Sequence, residues 1–238
     1  MANIALLIAG GSGARMGQDI PKQFLTVNEK PVIVYTLEAF QSHPEIDAIA
    51  VVCIGGWEQV LLAYAKQFSI SKLVSVVPGG LNGQDSIRNG VFDLETRFAP
   101  DDIVLIHDAI RPMVSAEIIS DNIRVAREHG NAVTVIPCAE AMMQTDDGTV
   151  STGSYPRSRL KRTQTPQAFH LAAICDLHRR ALAAGITNSV ASCTLMIEMG
   201  EQVYFSAGSE KNIKLTTVED IDIFKALLAA KRSTWLKN

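Results

Sequence analysis

Short runs of Val, Ile and Leu alternate along most of this chain with segments whose apolar residues recur at helical spacing. The runs lack polar alternation, which indicates strands that are buried on both faces. Strands are predicted at 4–8, 46–53, 73–77, 103–106, 132–136 and 202–205. Helices are predicted at 32–40, 58–68, 85–98, 116–129, 171–184, 190–199 and 218–231. The alternation predicts an α/β fold whose sheet is mostly parallel and covered by helices on both faces.

The connections between these strands restrict the topology further. A helix that joins two parallel strands almost always returns by a right-handed crossover, which gives a doubly wound, Rossmann-like architecture. The alternation stops between about residues 138 and 163, where Asp146-Asp147-Gly148 has a turn composition and residues 148–154 alternate in polarity. This segment is interpreted as a β-hairpin arm. We expect one domain over residues 1–238, with the arm packing on a partner subunit in a homodimer.

Composition excludes several classes of protein. The chain has 238 residues, of which 47% are hydrophobic and 20% charged, as in soluble globular proteins with a sizeable core. A net charge of -3 gives no reason to expect a nucleic-acid or membrane partner. No apolar run reaches the roughly 18 residues that a membrane span needs. The four cysteines are scattered without metal-ligand spacing, which is typical of reduced thiols in a cytoplasmic protein.

The first predicted strand runs into Ala9-Gly10-Gly11-Ser12-Gly13, with Arg15 and Lys22 following. Small residues let backbone N–H groups approach a phosphate chain closely, and the two cations would lie beside that chain. The loop has neither the Gly-Lys-Ser/Thr of a Walker A loop nor the G-x-G-x-x-G of dinucleotide-binding folds. A glycine-rich turn alone is a weak signal, but the spaced Arg15 and the Pro21-Lys22-Gln23 sequence make this one more specific.

These residues resemble the corresponding loop of nucleotidyltransferases that activate sugar phosphates. Pro21-Lys22-Gln23-Phe24 narrows the resemblance to the 2-C-methyl-D-erythritol 4-phosphate cytidylyltransferase family, which includes related ribitol-5-phosphate cytidylyltransferases. The resemblance covers nearly the whole chain. Its other landmarks occur in order: Gly79-Gly80 with Ser86, His-Asp-Ala-Ile-Arg-Pro at 107–112, Thr-Pro-Gln at 165–167 and Asn-Ile-Lys-Leu-Thr at 212–216. The resemblance implies transfer of CMP from CTP to a small polyol phosphate, with release of pyrophosphate.

The resemblance also implies a role for each matching residue. Arg15, Lys22 and Lys214 are expected to be catalytic, by neutralising phosphate charge. Arg111 and Arg157 are expected to bind the acceptor, Arg157 from the arm of the partner subunit. The residues expected to bind the nucleotide are Ala9, Gly10, Gly11, Ser12, Gly13, Gly79, Gly80, Ser86 and Ala109.

Asp108 follows the strand at 103–106, at the carboxyl edge where α/β sheets bind ligands. A carboxylate there suits Mg²⁺, which prefers oxygen ligands and bridges substrate phosphates, so Asp108 is the expected metal ligand and Mg²⁺ the expected cofactor. The alternative is a helix cap or a salt bridge, for which Arg111 is a candidate partner. His107 is interpreted as structural, because an attacking phosphate needs no base. Lys214 lies in a strand-like segment, where an unpaired charge is costly and a phosphate partner is plausible.

Three departures from the family pattern concern the acceptor. Gly83 occupies a position where the family usually has Arg, so the site has one fewer cation or uses Arg88 instead. Ala141 occupies the position of an expected phosphate-binding Thr. The usual Thr-Asp-acidic segment reads Thr187-Asn188-Ser189-Val190.

The acceptor therefore stays open between 2-C-methyl-D-erythritol 4-phosphate and ribitol 5-phosphate or another short polyol phosphate. Two other classes of protein are alternatives to a transferase. A non-catalytic nucleotide-binding regulator would be expected to lose Arg15, Lys22 or Asp108, and all three are present. An NAD-binding oxidoreductase would need the dinucleotide fingerprint that the first loop lacks.

Overall fold

The computed structural model of the chain describes residues 1–11 and 20–230. Within these residues the strands are β1 Asn3–Ala9, β2 Thr26–Val27, β3 Lys30–Pro31, β4 Ala48–Cys53, β5 Leu73–Pro78, β6 Ile103–Asp108, β7 Asn131–Pro137, β8 Met142–Gln144, β9 Gly153–Tyr155, β10 Lys161–His170 and β11 Phe205–Ala207. The α-helices are α1 Val32–Gln41, α2 Glu58–Gln67, α3 Gly83–Glu95, α4 Ala116–His129, α5 Leu171–Ala183, α6 Ser192–Glu198 and α7 Val218–Ala230.

Seven strands form one central sheet in the order β11-β7-β10-β6-β1-β4-β5. The pairs β1–β4, β1–β6, β4–β5 and β7–β11 are parallel, and only β10 runs antiparallel to its neighbours. The predicted α/β class with a mostly parallel sheet is confirmed. The carboxyl ends of β1, β4, β5 and β6 therefore meet at one edge, where the connecting loops gather.

Side chains of successive residues in β1 point to opposite faces of the sheet, and both faces are covered. Ala5 and Leu7 pack in a core with buried residues of α1, α2 and α4. Ile4 and Leu6 pack in a second core with buried residues of α3 and α5. Because both faces are buried, no position along the strand favours a polar residue, which explains the uninterrupted apolar run.

Helix boundaries follow local signals in the sequence. Ser115 caps α4 by accepting a hydrogen bond from the Ile118 N–H, and Gly130 ends the helix in the left-handed region at φ 88°. All seven predicted helices are present in the described residues with small shifts at their ends, although residue 231, the predicted end of the last one, lies outside them. No helix in the described part of the chain is both long and apolar enough to span a membrane.

The main error in the predicted fold is the missing strand β10, which lies in the sheet between β6 and β7. Its sequence is mostly polar and has Pro166 at its middle, which argues against a central strand. The ladder with β7 shifts register between Thr163 and Gln167, so the proline lies at an irregularity where no ladder hydrogen bond is needed. The last strand was also predicted too early, at 202–205 instead of 205–207.

The predicted hairpin is present as the antiparallel pair β8–β9, and its residues are mostly exposed. Asp147 fixes the turn by accepting hydrogen bonds from the N–H groups of Thr149 and Val150. Residues 161–163 pair with β7 in the central sheet. The arm is therefore shorter than the predicted segment at 138–163.

Gly90 provides a test of how closely α3 packs on the sheet. A Cβ at this position would lie 2.8 Å from side-chain atoms of Leu6 and Val52. We expect Gly90→Ala to lower the free energy of unfolding by about 1–3 kcal/mol, because the fully buried side chains of Leu6 and Val52 must shift to admit the methyl group. The measurement is urea denaturation. Gly55→Ala is the control, since its Cβ would have no neighbour within 4 Å. Equal stability of the two variants would contradict this packing.

Candidate active site

The end of β1 meets the turn after β5 at the carboxyl edge of the sheet. A Cβ on Gly10 would lie 3.0 Å from Ser86 Oγ and 3.4 Å from Gly79 Cα. The Gly79 N–H also donates to the Cys53 carbonyl at 2.7 Å, which fixes this turn against the end of β4. Two backbones thus approach each other here because neither carries a side chain. Four of the expected nucleotide-binding residues, Gly10, Gly79, Gly80 and Ser86, are brought together by this contact.

Ser86 closes the turn that follows Gly79. The Gly80 N–H donates to Ser86 Oγ at 3.0 Å, and this hydroxyl donates to the Asn82 carbonyl at 2.9 Å. A Cβ on Gly80 would lie 2.3 Å from the Cβ of Asp85, so only glycine fits there. Ser86 therefore shapes the turn, whatever it also contacts in a bound ligand.

The other end of the glycine-rich loop is tied to β1 by Gln23. Its Nε2 donates to the carbonyls of Ala9 at 2.7 Å and Gly11 at 3.1 Å. Lys22 is the first residue of the 3₁₀ turn that carries Gln23 and is half-buried beside the loop. This contact gives the glutamine of the Pro-Lys-Gln sequence a structural role. Three predicted site residues of the loop, Ser12, Gly13 and Arg15, lie outside the described residues.

Asp108, the last residue of β6, holds two cations from different parts of the chain. Its Oδ2 accepts from Arg111 Nε at 3.0 Å, and its Oδ1 accepts from Lys214 Nζ at 3.1 Å. Arg111 Nη1 also donates to the Asn212 carbonyl at 2.8 Å, which ties the segment before α7 to the end of β6. The side chains of Asp108 and Arg111 are mostly buried, whereas that of Lys214 is 42% exposed.

Lys214 differs from its prediction. It lies in an irregular loop and not in a strand, and within the described residues it is paired with Asp108. The predicted salt bridge between Arg111 and Asp108, given as the alternative to a metal site, is present. Burial alone would raise the pKa of Asp108, but the charges of Lys214 and Arg111 outweigh burial and hold that pKa below its usual value. The carboxylate is therefore ionised at neutral pH.

His107 lies under this cluster and is fully buried. Its Nε2 lies 3.2 Å from the Arg111 carbonyl, which can only accept, so Nε2 carries the proton. Its Nδ1 then accepts from Thr165 Oγ1 at 3.1 Å, and that oxygen accepts from the Asp108 N–H at 3.0 Å. Burial lowers the pKa of His107 to about 4. A neutral, fully hydrogen-bonded imidazole has the contacts of a structural residue, as the sequence interpretation expected.

A cavity of about 330 Å³ opens beside Asp108. Its lining includes Gly83 at the start of α3, Thr165, Lys214 and residues 190–192. Arg111 and Lys214 also line a second cavity of about 360 Å³. The ion pair of Arg162 with Glu210 is part of the same lining. Arg111 and Lys214 thus line both cavities, each of which is large enough for part of a phosphorylated ligand.

Two predicted site residues have contacts that the sequence did not reveal. Ala109 is fully buried, and its N–H already donates to the Ile8 carbonyl at 3.1 Å. Arg157 lies on the exposed arm and donates to the Ala139 carbonyl at 2.9 Å, and the described lining of neither cavity includes it. Arg88, considered as a substitute for a cation at Gly83, is paired with Asp85 at 2.8 Å.

Sequence reasoning missed three residues at this site. Thr165 was quoted only as part of a motif, yet it connects β10 to Asp108 and His107. Ser192 lines the cavity with a buried hydroxyl that has no hydrogen-bond partner in the described part of the chain. Gln84, next to Gly83, is buried and contacts the loop before α6. Only Thr165 had a signal in the sequence, namely its place in a motif.

Asp108 fits the protein part of a Mg²⁺ site. Residues 1–11 and 20–230 contain no group of three or more His, Cys, Asp or Glu side chains that could hold a metal alone. Mg²⁺ is commonly held by one or two carboxylates together with substrate phosphates. Each oxygen of the Asp108 carboxylate has two lone pairs, so one remains on each beside the bonds to Arg111 and Lys214.

Comparison with known proteins identifies the family of this chain. The model of the IspD family, 2-C-methyl-D-erythritol 4-phosphate cytidylyltransferase, matches residues 3–230. A ribitol-5-phosphate cytidylyltransferase of Lacticaseibacillus paracasei is 44% identical over 95% of this chain and 98% of its own. A 2-C-methyl-D-erythritol 4-phosphate cytidylyltransferase of Clostridium botulinum is 36% identical over 95% of this chain and 97% of its own.

The solved structure of 4-diphosphocytidyl-2C-methyl-D-erythritol synthase from Anaerococcus prevotii has a TM-score of 0.81 to this chain, with 25% identity and 96% of each chain covered. The family match thus extends over the sheet, the glycine-rich turns and the Asp108 cluster together. This chain belongs to the 2-C-methyl-D-erythritol 4-phosphate cytidylyltransferase family and is a nucleotidyltransferase.

Proposed function

We propose that this enzyme transfers CMP from CTP to ribitol 5-phosphate and releases pyrophosphate. The observation that carries the reaction class is the meeting of the Asp108–Arg111–Lys214 cluster with the Gly10, Gly79 and Gly80 turns at one edge of the sheet. Turns without side chains accept a nucleotide, and the neighbouring cations accept phosphate groups.

In the proposed reaction an oxygen of the acceptor phosphate attacks the α-phosphorus of CTP. A bond forms between this oxygen and the α-phosphorus, and the bond from the α-phosphorus to the bridging oxygen breaks. Pyrophosphate leaves with that electron pair, so no proton transfer is needed. Because two anions must meet, the enzyme has to neutralise charge and hold the two groups in line. This requirement accounts for the fixed cations, and because the step needs no proton transfer, the buried neutral His107 has no part in it.

Each cation has a position that suits one part of this task. Lys22 lies beside the glycine-rich loop, where it can neutralise the triphosphate, and Arg15 has the same proposed role. Lys214 is the most exposed member of the Asp108 cluster, so it can reach a bound phosphate. Arg111 is held by Asp108 and by the Asn212 carbonyl, and it presents a fixed charge to the acceptor. Mg²⁺ bound with CTP would add positive charge at the phosphates, with Asp108 as its protein ligand.

The choice of ribitol 5-phosphate depends on the relatives and on the altered acceptor positions. Relatives named for ribitol 5-phosphate are 38–44% identical to this chain, and those named for 2-C-methyl-D-erythritol 4-phosphate are 34–36% identical. Ala141 lacks the hydroxyl that would bind the phosphate of the branched acceptor, and the segment at 187–190 lacks the usual acidic residues. Both changes favour an acceptor other than the one after which the family is named.

We further propose that the enzyme is a homodimer whose arms contact the partner subunit. Met143, Val150 and Tyr155 of the arm are all more than half exposed, which is unusual for apolar side chains on one small hairpin. Arg157 would then reach the acceptor phosphate in the partner's site. We infer a cytoplasmic location, because CTP is available there and all four cysteines are free and buried.

Lys22→Ala should lower kcat by on the order of 10²-fold, because one fixed charge is lost from the transition state. The measurement is the steady-state rate of pyrophosphate release with CTP and ribitol 5-phosphate. Lys66→Ala, which removes an exposed lysine on α2, is the matched control. A Lys22→Ala enzyme with the kcat of the control would exclude Lys22 from catalysis.

Asp108→Asn should raise the Mg²⁺ concentration for half-maximal activity, because a neutral amide is a poorer ligand for a hard cation. Asp93→Asn is a suitable control, since Asp93 has a similarly buried side chain and also pairs with an arginine, Arg97. The metal titration of the control should match that of the wild type. The same titration for Asp108→Asn would mean that Asp108 only holds Arg111 and Lys214.

The acceptor is tested by comparing kcat/KM for ribitol 5-phosphate, 2-C-methyl-D-erythritol 4-phosphate and glycerol 3-phosphate with CTP. We expect ribitol 5-phosphate to be preferred, since a lost hydrogen bond to a charged phosphate costs roughly 1.5–3 kcal/mol, or about tenfold or more. UTP in place of CTP should give little turnover. A clear preference for the methylerythritol phosphate would contradict the acceptor assignment and leave the reaction class intact.

A further inference from the structure

Gln84 joins the nucleotide side of the site to the loop between α5 and α6. It is the second residue of α3 and only 3% exposed. Its Nε2 donates to the Ile186 carbonyl at 2.8 Å, and its Oε1 accepts from the Ser189 N–H at 2.5 Å. Both ends of the amide are therefore used on one short segment of backbone.

Asn82 supports the same loop from the N-terminus of α3. Its Oδ1 caps the helix by accepting from the Asp85 N–H at 2.9 Å, and its Nδ2 donates to the Thr187 carbonyl at 3.1 Å. Asn82 and Gln84 thus make three hydrogen bonds to the backbone of residues 186–189. The loop is attached directly to the helix that begins just after the Gly79-Gly80 turn.

Within the described residues the loop makes few other hydrogen bonds: the Ile186 N–H donates to the Ala181 carbonyl at 2.9 Å, and Ser189 Oγ donates to the Ala191 carbonyl at 3.5 Å. Residues 187–190 have no helix or strand, and Thr187, Asn188 and Val190 are exposed. Ser189 is buried, and its N–H is the group that Gln84 binds. Residues 190–192 follow immediately and line the cavity beside Asp108 and Thr165. Residues 190–192 form a wall of this cavity. Gln84 holds the start of the wall through the Ser189 N–H, and Gln167 holds its end, because its Oε1 accepts from the Cys193 N–H at 3.0 Å.

We propose that Gln84 is a positioning residue that sets the acceptor specificity of the enzyme by fixing the wall at residues 190–192. This inference rests on the proposed function. Gln84 does not line the cavity and its amide contacts the loop, so its effect on the ligand is indirect. The wall lines the same cavity as Gly83, Thr165 and Lys214, where the acceptor would lie. Movement of the wall changes the fit of the acceptor and leaves the nucleotide turn at Gly79-Gly80 unchanged.

Gln84→Glu separates this role from a general effect on folding. The introduced carboxylate keeps an acceptor for the Ser189 N–H but places a second charged oxygen against the Ile186 carbonyl. We expect kcat/KM for the acceptor to fall about tenfold at alkaline pH, with KM for CTP within twofold of the wild type. A protonated carboxyl group can donate to the carbonyl again, and burial raises the pKa of such a group. The ratio of variant to wild-type kcat/KM should therefore recover towards mildly acidic pH.

Two further variants complete the experiment. Asn82→Asp keeps a good helix cap and loses only the hydrogen bond to the Thr187 carbonyl, so we expect a smaller decrease in acceptor kcat/KM than for Gln84→Glu. This variant keeps the inference testable if Gln84→Glu folds poorly. Gln41→Glu is the matched control, because Gln41 also bridges two segments, through the Lys72 N–H and Ser71 Oγ, both at 2.9 Å. Thermal denaturation of all variants measures stability, and the control should show no change in acceptor kcat/KM.

The outcomes separate the inference from the proposed function. A decrease in kcat/KM for the acceptor alone, which recovers at lower pH, supports Gln84 as the positioning residue. The inference is overturned if folded Gln84→Glu and Asn82→Asp have the acceptor kcat/KM of the wild type. It is also overturned if kcat/KM falls equally for CTP and for the acceptor and does not recover at lower pH. Absence of CMP transfer by the wild-type enzyme with every polyol phosphate tested overturns the proposed function, and this inference with it.

Discussion

The charge of Asp108 at the end of β6 is the constraint on which the arrangement of the site depends. A carboxylate that is mostly removed from water needs partners, and Arg111 and Lys214 supply them from two different segments. Arg111 in turn binds the Asn212 carbonyl, so the segment before α7 is held against the sheet. The same pairing keeps two cations at the edge where the strands end. One buried charge therefore fixes both the path of the chain and the electrostatics of the site.

The parallel part of the sheet could be predicted because burial on both faces leaves a direct record in the sequence. β1 and β4 have uninterrupted apolar runs, since helices cover each side. β10 could not be predicted in this way. Its residues are polar where they serve the site, as Thr165 does for Asp108, and Pro166 interrupts its ladder at a register shift. A strand that carries functional side chains loses the pattern by which strands are recognised.

The predicted site shows the same division. Gly10, Gly79 and Gly80 could be identified because close backbone contact requires glycine, and this requirement is visible at each position. The role of Gln84 could not be predicted from the sequence, since a glutamine near the N-terminus of a helix can equally well be exposed to solvent. Its importance comes from hydrogen bonds to residues 186 and 189, about one hundred positions along the chain. The ion pair of Lys214 with Asp108 is missed for the same reason, because no local pattern specifies a partner so distant.

These differences indicate how acceptor choice can change within a fixed reaction. The charged groups at the strand ends are held by the sheet, so phosphate neutralisation changes little when a loop changes. The departures from the family pattern at Ala141 and at residues 187–190 lie in segments without helix or strand, where substitution does not disturb the core. The side chain of Gln84 connects one of these segments to α3 through hydrogen bonds to the backbone of the loop. Because such bonds do not depend on the side chains of the loop, the loop sequence can vary while its position at the cavity is kept.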